Sequence, residues 1–407
     1  MRTTSLFPPS SEWSRNISDN CQYHSHYATD VSPTISSNRG SPVWHGNPRL
    51  DELLCTPQFQ IKNPQSLPRG GQRSSRPGSP NGSSIRSIGG RHPHGAPRFD
   101  QVVPHGGYLW WYIDAISDDG QHGITIIAFV GSVFSPYYAW ANQKSPADPN
   151  QYCCLNVAVY SPGKKRWTMT ERGGKWIYRD EERFQIGPSQ LHWDGQALVI
   201  DIHERAVPFF QSVRGQIKVY PETLFNYSVP LDAGKKHRWG PLAPTARVEV
   251  QLSNPNIRWH GHAYLDSNEG DEAIDQPFLE WDWARALMSD GSTVVIYDVR
   301  EKSGKNSLLA LRFTKSGQVE EVSSGPRYAL PMSLWRIQRH LRSEQSPVKV
   351  IQNLEDTPFY TRSILGATWL GENIVAMHET LNIPRFSSTI VRLMLPWRMP
   401  RIPKFLS

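Results

Sequence analysis

The residues best suited to chemistry lie in the stretch 259–272, WHGHAYLDSNEGDE. Written as a β-strand, alternate residues share a face. One face then carries His260, His262, Tyr264 and Asp266, and the other carries Trp259, Gly261, Ala263 and Leu265. A carboxyl and a phenol on one face can exchange protons with a bound molecule. The same face is also open to a plain solvated reading, because an antiparallel strand often keeps its polar side in water. His260 and His262 would stand ~7 Å apart along the strand. That suits a metal only if the rings converge, and no third ligand follows at a recognised spacing. Two further segments share this texture. In Lys235-Lys236-His237-Arg238-Trp239 an extended chain puts His237 and Trp239 on one side. In FLEWDWARA, Trp281 and Trp283 flank Asp282 and precede Arg285. Aromatic density of this kind is normally core, yet it also suits an apolar ligand, and tryptophan faces stabilise cations.

The scaffold that must position these residues reads as strands. From about Arg98 onward short alternating or β-branched runs recur, among them GYLWWYIDAI, GITIIAFVGSVF, CCLNVAVY, ALVIDIHE, ARVEVQL, STVVIYDV and LLALRF. Turn signals such as SDDGQHG, SPGKK, HWDGQ, LSNPN and MSDGS separate them. This pattern predicts an all-β barrel or sandwich. A body of roughly 310 residues is large for one antiparallel barrel, so the expectation is two β-domains, 96–270 and 271–407. Two helices are expected, one over LPMSLWRIQRHLRSE (330–344) and a short one around SPYYAWANQ. Residues 1–95 are rich in Ser, Pro, Gly, Asn and Arg with scattered apolar positions, and read as a disordered tail. A chain beginning near Gly95 is therefore expected to fold.

Composition narrows the class. Of 407 residues, 38% are hydrophobic and 20% charged. No run approaches 18 consecutive apolar residues, so a spanning helix is not expected, and TTSLFPPSSEW after Met1 has no apolar signal core. The four cysteines, Cys21, Cys55, Cys153 and Cys154, are too few to staple such a chain and point to a reducing, cytoplasmic compartment. The formal net charge is +7, but residues 1–95 hold ten Lys/Arg and five Asp/Glu, leaving a nearly neutral body. A nucleic-acid-binding domain is not expected from that balance. There is no G-x-G-x-x-G, Walker loop, G-x-S-x-G elbow, C-x-x-C or H-E-x-x-H, which weakens dehydrogenase, nucleotidase, serine hydrolase and zinc peptidase readings. His105-Gly106-Gly107 looks like an oxyanion loop but, without an elbow, reads as a turn.

Four stretches in order resemble the carotenoid 1,2-hydratases, also called hydroxyneurosporene synthases. They are GGYLWWYIDAISDDGQHGITIIAFVGSVFSPYYAWA (106–141), NVAVYSPGKKRWTMTERG (156–173), HRWGPLAPTARVEV (237–250) and WHGHAYLDSNEGDE with FLEWDWARA (259–287). The likeness extends over 98–400 and does not include residues 1–95. It implies two lipocalin-like β-barrel domains and cofactor-independent addition of water across the terminal C1–C2 double bond of an acyclic carotene such as neurosporene or lycopene. It also implies His237, Trp239, Tyr264 and Asp266 as the functional set. Cyclases and lipocalin-like carriers share the fold, so fold alone does not fix the reaction.

Hydrating a trisubstituted alkene requires a proton at C2 and water capture of the tertiary cation at C1. One acid, an apolar pocket, aromatic faces and a positioned water suffice, with neither metal nor redox cofactor. Asp266 is the expected acid, provided that burial among Trp259, Trp281 and Trp283 lifts a carboxyl otherwise only about one part in a thousand protonated at pH 7. Tyr264 is expected to hold the water or the acid, Trp239 to face the cation, and His237 to accept the proton of the attacking water or to orient Asp266. His260, ~20 Å from Asp266 along an extended strand, is expected outside the site. Carotenes dissolve in bilayers, so a peripheral membrane enzyme is expected, with 335–341 and LPWRMPRIPKF (395–405) as contact surfaces. A non-catalytic lipid carrier and another cofactor-free isomerase or cyclase are the remaining readings.

Overall fold

The computed structural model describes residues 89–205 and 211–402. Residues 1–88, with Cys21 and Cys55, and residues 403–405 of the expected C-terminal contact surface lie outside the described residues.

The chain is all-β, as the runs of β-branched residues imply. A first sheet is built from β1 (Tyr108–Ser117), β2 (Gly123–Val130), β3 (Cys153–Tyr160), β4 (Arg166–Arg172), β5 (Ile177–Arg179) and β6 (Arg183–Ile186). It continues with β7 (Ser189–Trp193), β8 (Leu198–Arg205), β9 (Ser212–Pro221), β10 (Val229–Pro230), β11 (His237–Asn254) and β12 (Asn256–Gly270). The order is β4-β3-β2-β1-β12-β11-β9-β8-β7-β6-β5, with β10 beside β11, and every pairing recorded between these strands is antiparallel. The sheet curls into a nearly closed barrel, so that Arg172 of β4 meets Glu204 of β8 at 2.8 Å. The barrel interior is filled by side chains, Leu109, Trp111, Ile113, Leu155, Ile200 and Ile217 among them, and so is core.

A second, seven-stranded sheet follows after Gly270. Its strands are β13 (Phe278–Leu287), β14 (Thr293–Glu301), β15 (Asn306–Phe313), β16 (Val319–Glu321), β19 (Lys349–Asp356), β20 (Tyr360–Trp369) and β21 (Glu372–Asn382). The order is β16-β15-β14-β13-β21-β20-β19. One face of this sheet packs on the outer face of the barrel strands, in a single apolar layer that contains Trp110, Tyr112, Trp239, Tyr264, Trp281 and Trp283. Its other face carries Ala284, Ile296 and Leu365 and is covered by a hairpin of β17 (Arg327–Leu330) and β18 (Arg339–Arg342). The barrel strands are thus enclosed on both sides, which is why β1, β2 and β3 are buried almost throughout and read as continuous apolar runs.

The hairpin replaces the helix expected over 330–344. Arg336 adopts φ 59, outside helical geometry, and Pro331 lacks a donor. Arg339 and Leu341 are buried on alternate positions, and Arg339 bonds Ser363 Oγ and Asn353 Oδ1 on the neighbouring sheet. The short helix near SPYYAWANQ is present as α1 (Pro136–Asn142), capped by Ser135 Oγ, which accepts from the Tyr138 amide. Two helices that the sequence pattern did not suggest close the chain: α2 (Ile383–Ser387) and α3 (Thr389–Arg398), the latter with Pro396 inside it.

Residues 89–95, assigned by composition to the tail, pack into the body. Arg91 is buried, and its guanidinium donates to the carbonyls of Tyr227, Gly240 and Pro241 and to Ser267 Oγ. It therefore braces β11 and β12 where their pairing shifts register after Pro241, a bulge that lets Pro241 and Pro244 occupy an inner strand. A chain beginning at Gly95 would lack this brace. Arg91→Ala is expected to lower unfolding free energy by about 2–4 kcal/mol, because it strands several buried carbonyls. Urea titration of the parent and variant chains measures the difference. An unchanged midpoint would mean that water satisfies those carbonyls.

Candidate active site

Asp266 sits in β12, opposite Tyr112 of β1 and Pro241 of β11, on the face turned toward the second sheet. Strand alternation brings Tyr264 to the same face, and its hydroxyl donates to Asp266 Oδ2 at 2.9 Å. Trp239 of β11 lies opposite Asn268, and its indole N–H donates to the same oxygen at 2.7 Å. The other oxygen, Oδ1, is buried without a hydrogen-bond partner. Burial pushes the Asp266 carboxyl up to about 8, helped by the nearby charges of Glu379 and Asp114 and opposed by the two donors on Oδ2. A carboxyl with that value is roughly nine-tenths protonated at pH 7. With Oδ2 accepting twice, the proton belongs on the unpartnered Oδ1.

Asp266 lines a cavity of ≈ 40 Å³ together with Trp110, Asn268, Trp281, Trp283, Tyr297 and Glu379. The walls are edge-packed rings, Trp281 on Tyr297 at 6.0 Å and Tyr112 on Trp283 at 5.3 Å, and Tyr264 backs Trp283, tilted on it at 5.5 Å. Ile127, Phe134 and Tyr360 also border a larger chamber of ≈ 310 Å³. That chamber runs to Trp335, Met394, Leu395 and Met399. Behind Tyr264 a buried ion pair joins the sheets. Arg285 of β13 bonds Asp114 of β1 and stands over the Tyr264 ring at 5.7 Å.

The expected residues separate into three groups. Asp266, Trp281 and Trp283 line the cavity. Trp239 and Tyr264 are not among its lining residues; both stand behind the acid and hold it, so Trp239 is a donor to Asp266 and not a wall facing the ligand. His237 and Trp259 lie elsewhere. His237 pairs with Gly270, four positions along β12 from Asp266, and its Nδ1 meets Tyr108 Oη at 2.8 Å. A Cβ at Gly270 would stand 2.3 Å from the Tyr108 ring, so only glycine leaves room for that pair. Burial lowers the His237 pKa, which favours the neutral ring. Trp259 has the opposite parity to Asp266, and it belongs to the barrel-interior cluster. The histidine pair stands apart from the cavity: His260 is exposed, and the half-buried His262 has its Nε2 3.0 Å from Arg247 beside Asp118. Among the described residues no three His, Cys, Asp or Glu are grouped to hold a metal.

Other cavity residues were not anticipated. Asn268 continues the alternation His262, Tyr264, Asp266 and could have been found from it. Tyr297, Tyr360 and Glu379 come from the second sheet, where no local pattern links them to Asp266.

Residues 126–406 match the family model for the carotenoid hydratase CrtC. An acyclic carotenoid 1,2-hydratase of Rubrivivax gelatinosus is 53% identical over 379 residues, 92% of this chain and 93% of that one. A protein of the same name from Thiocapsa roseopersicina is 44% identical over 404 residues, 99% of this chain and 100% of its own. That alignment runs into the leading segment, so the likeness is not confined to 98–400. The namesake of Cereibacter sphaeroides is 36% identical over 280 residues, 68% of this chain and 98% of its own.

The geometry predicts a protonated carboxyl at neutral pH. In infrared difference spectra of the parent chain against Asp266→Asn, a carboxylic acid band is expected at pH 7 and is expected to vanish as pH rises through about 8. Tyr264→Phe and Trp239→Phe each remove a donor that favours the anion, so both are expected to move that midpoint upward. A band that disappears below pH 5 would show an ordinary, hydrated carboxyl.

Proposed function

The chain belongs to the carotenoid hydratase family; it is a hydro-lyase that adds water across the terminal C1–C2 double bond of acyclic carotenoids, and we propose that Asp266 supplies the proton. The observation that carries this reading is a buried carboxyl with one oxygen doubly hydrogen-bonded and the other free, set in an aromatic cavity.

The chemistry follows from that arrangement. Oδ1–H protonates C2, and the negative charge left behind is spread toward Oδ2, where Trp239 and Tyr264 already donate. The tertiary cation at C1 is faced by the rings of Trp281, Trp283 and Tyr297. Water then forms the C1–O bond and releases one proton. Adding water transfers no net electrons, so the step requires no redox partner. The ≈ 310 Å³ chamber leading to this cavity would hold the polyene behind the reacting end.

The same reading gives the substrate a route from a bilayer. Leu334 is 93% exposed, Trp397 80% and Ile390 74%, and they stand on the loop and on α3 that border the open chamber. α3 has no acidic residue in its first turn and carries Arg392 and Arg398. No helix among the described residues is long and apolar enough to cross a membrane. Peripheral docking through this rim, on the cytoplasmic side where the buried thiols of Cys153 and Cys154 remain free, would let a carotene slide inward without meeting water.

Expressed in a host that accumulates lycopene or neurosporene, the parent chain is expected to yield carotenoids heavier by one water. Asp266→Asn is expected to lower hydration by about 1000-fold or more while the fold survives, whereas Tyr264→Phe and Trp239→Phe cost about tenfold each. An active Asp266→Asn chain would remove the proposed acid, and a parent chain that binds carotene without product would indicate a carrier. The double change Ile390→Ser/Trp397→Ser is expected to abolish flotation with anionic liposomes at low and high salt and to leave the thermal midpoint within about 2 °C.

A further inference from the structure

Protonation by Asp266 leaves two questions open: what holds the attacking water, and where its proton goes. His237 is remote from the cavity. Three polar atoms on cavity-lining residues are buried without a partner: Asp266 Oδ1, Trp283 Nε1 and Tyr360 Oη. Unpaired buried polar atoms are uncommon, and three on one small cavity mark a place made for a polar guest. The cavity's ≈ 40 Å³ admits about three waters.

A second carboxyl on this cavity is Glu379 of β21. Its Oε1 accepts from Tyr112 Oη at 2.7 Å and from Arg362 Nε at 2.7 Å. Among the described residues none bonds its Oε2. Arg362 is buried and is held in turn by Glu355 at 2.6 Å and Tyr160 at 2.5 Å. This network fixes the Glu379 carboxyl against Arg362 on the same cavity that Asp266 lines. Two carboxyl groups with opposed environments on one cavity are the arrangement that proton donation at one point and proton acceptance at another requires.

We infer that Glu379 is the general base of the hydration, taking the proton from a water that Trp283 Nε1 and Tyr360 Oη position for attack on C1. The inference rests on Asp266 as the donor. In balance, the Asp266 proton forms the C2–H bond as the C1–C2 π pair is consumed, water oxygen gives its lone pair to C1, and one water proton passes to Glu379. Transfer of that proton back to Asp266 through cavity water restores the enzyme. The base has to lie across the cavity from the acid because the carboxylate formed at Asp266 stays engaged with Trp239 and Tyr264.

Turnover in deuterium oxide with an acyclic carotene separates the two steps. In Glu379→Gln the cation still forms but is captured slowly, so hydration is expected to fall about 100-fold. The cation then sheds a proton instead, so recovered carotene or its isopropenyl isomer is expected to carry deuterium. Tyr360→Phe, which leaves the Arg362 network intact, is expected to lose about tenfold in hydration with deuterium uptake retained. Hydration within threefold of the parent in Glu379→Gln would overturn the inference. So would loss of hydration and deuterium uptake together in a chain with an unchanged thermal midpoint. If Glu379→Gln does not fold, parental hydration by Tyr360→Phe overturns it instead. Asp266→Asn is expected to abolish both readouts; deuterium uptake in that chain would refute the donor and leave the Glu379 result to stand separately.

Discussion

The structure depends on one carboxyl group being shut between two sheets. Asp266 faces the layer where the outer side of the barrel meets the seven-stranded sheet. Ionising a carboxyl in that layer forfeits the hydration energy that water would give, and two hydrogen bonds to Oδ2 return only part of it. The group therefore stays a neutral acid at the pH where an exposed aspartate is an anion. Separating the sheets by a few ångströms would admit water, and the acid would become an ordinary aspartate.

Holding the sheets together at this point is partly the task of charge. Arg285 with Asp114, and Arg362 with Glu355 and Glu379, cross or line the same layer, each paired at hydrogen-bond distance. A buried pair of this kind adds little net stability over apolar packing, but losing one partner strands the other. The pairs are better understood as fixing the register of the sheets around the cavity. Asp266 differs because among the described residues no cation bonds it, only the neutral donors Trp239 and Tyr264.

The barrel itself plays a supporting part. Its interior is filled with Leu, Ile, Val and Trp side chains. The reactive space lies outside it, roofed by the second sheet, and opens toward α3 and the loop of the β17–β18 hairpin. Arg91, just past the undescribed leading residues, reinforces the strands that carry Trp239 and Asp266.

Much of this was legible in the chain. Alternation along 259–272 placed Tyr264 and Asp266 on one face, since a two-residue period is a local property of any strand, and the rise per residue put His260 well away along it. Trp259, expected beside Asp266, has the opposite parity and lies in the barrel interior. β-branched runs and turns gave the all-β class, whereas the apolar spacing in 330–344 imitated a helix that Arg336 and the contacts of Arg339 forbid. The partners of the acid were beyond reach. Glu379 lies more than a hundred residues from Asp266, and Tyr297 and Tyr360 come from two further strands, so only the packing of one sheet on another brings them to the same cavity. Which side of Asp266 faces a ligand was equally a tertiary outcome: the sequence offered Trp239 as a wall and Tyr264 as a holder of the water or the acid, and the pairing of β11 with β12 set both as supports behind the acid.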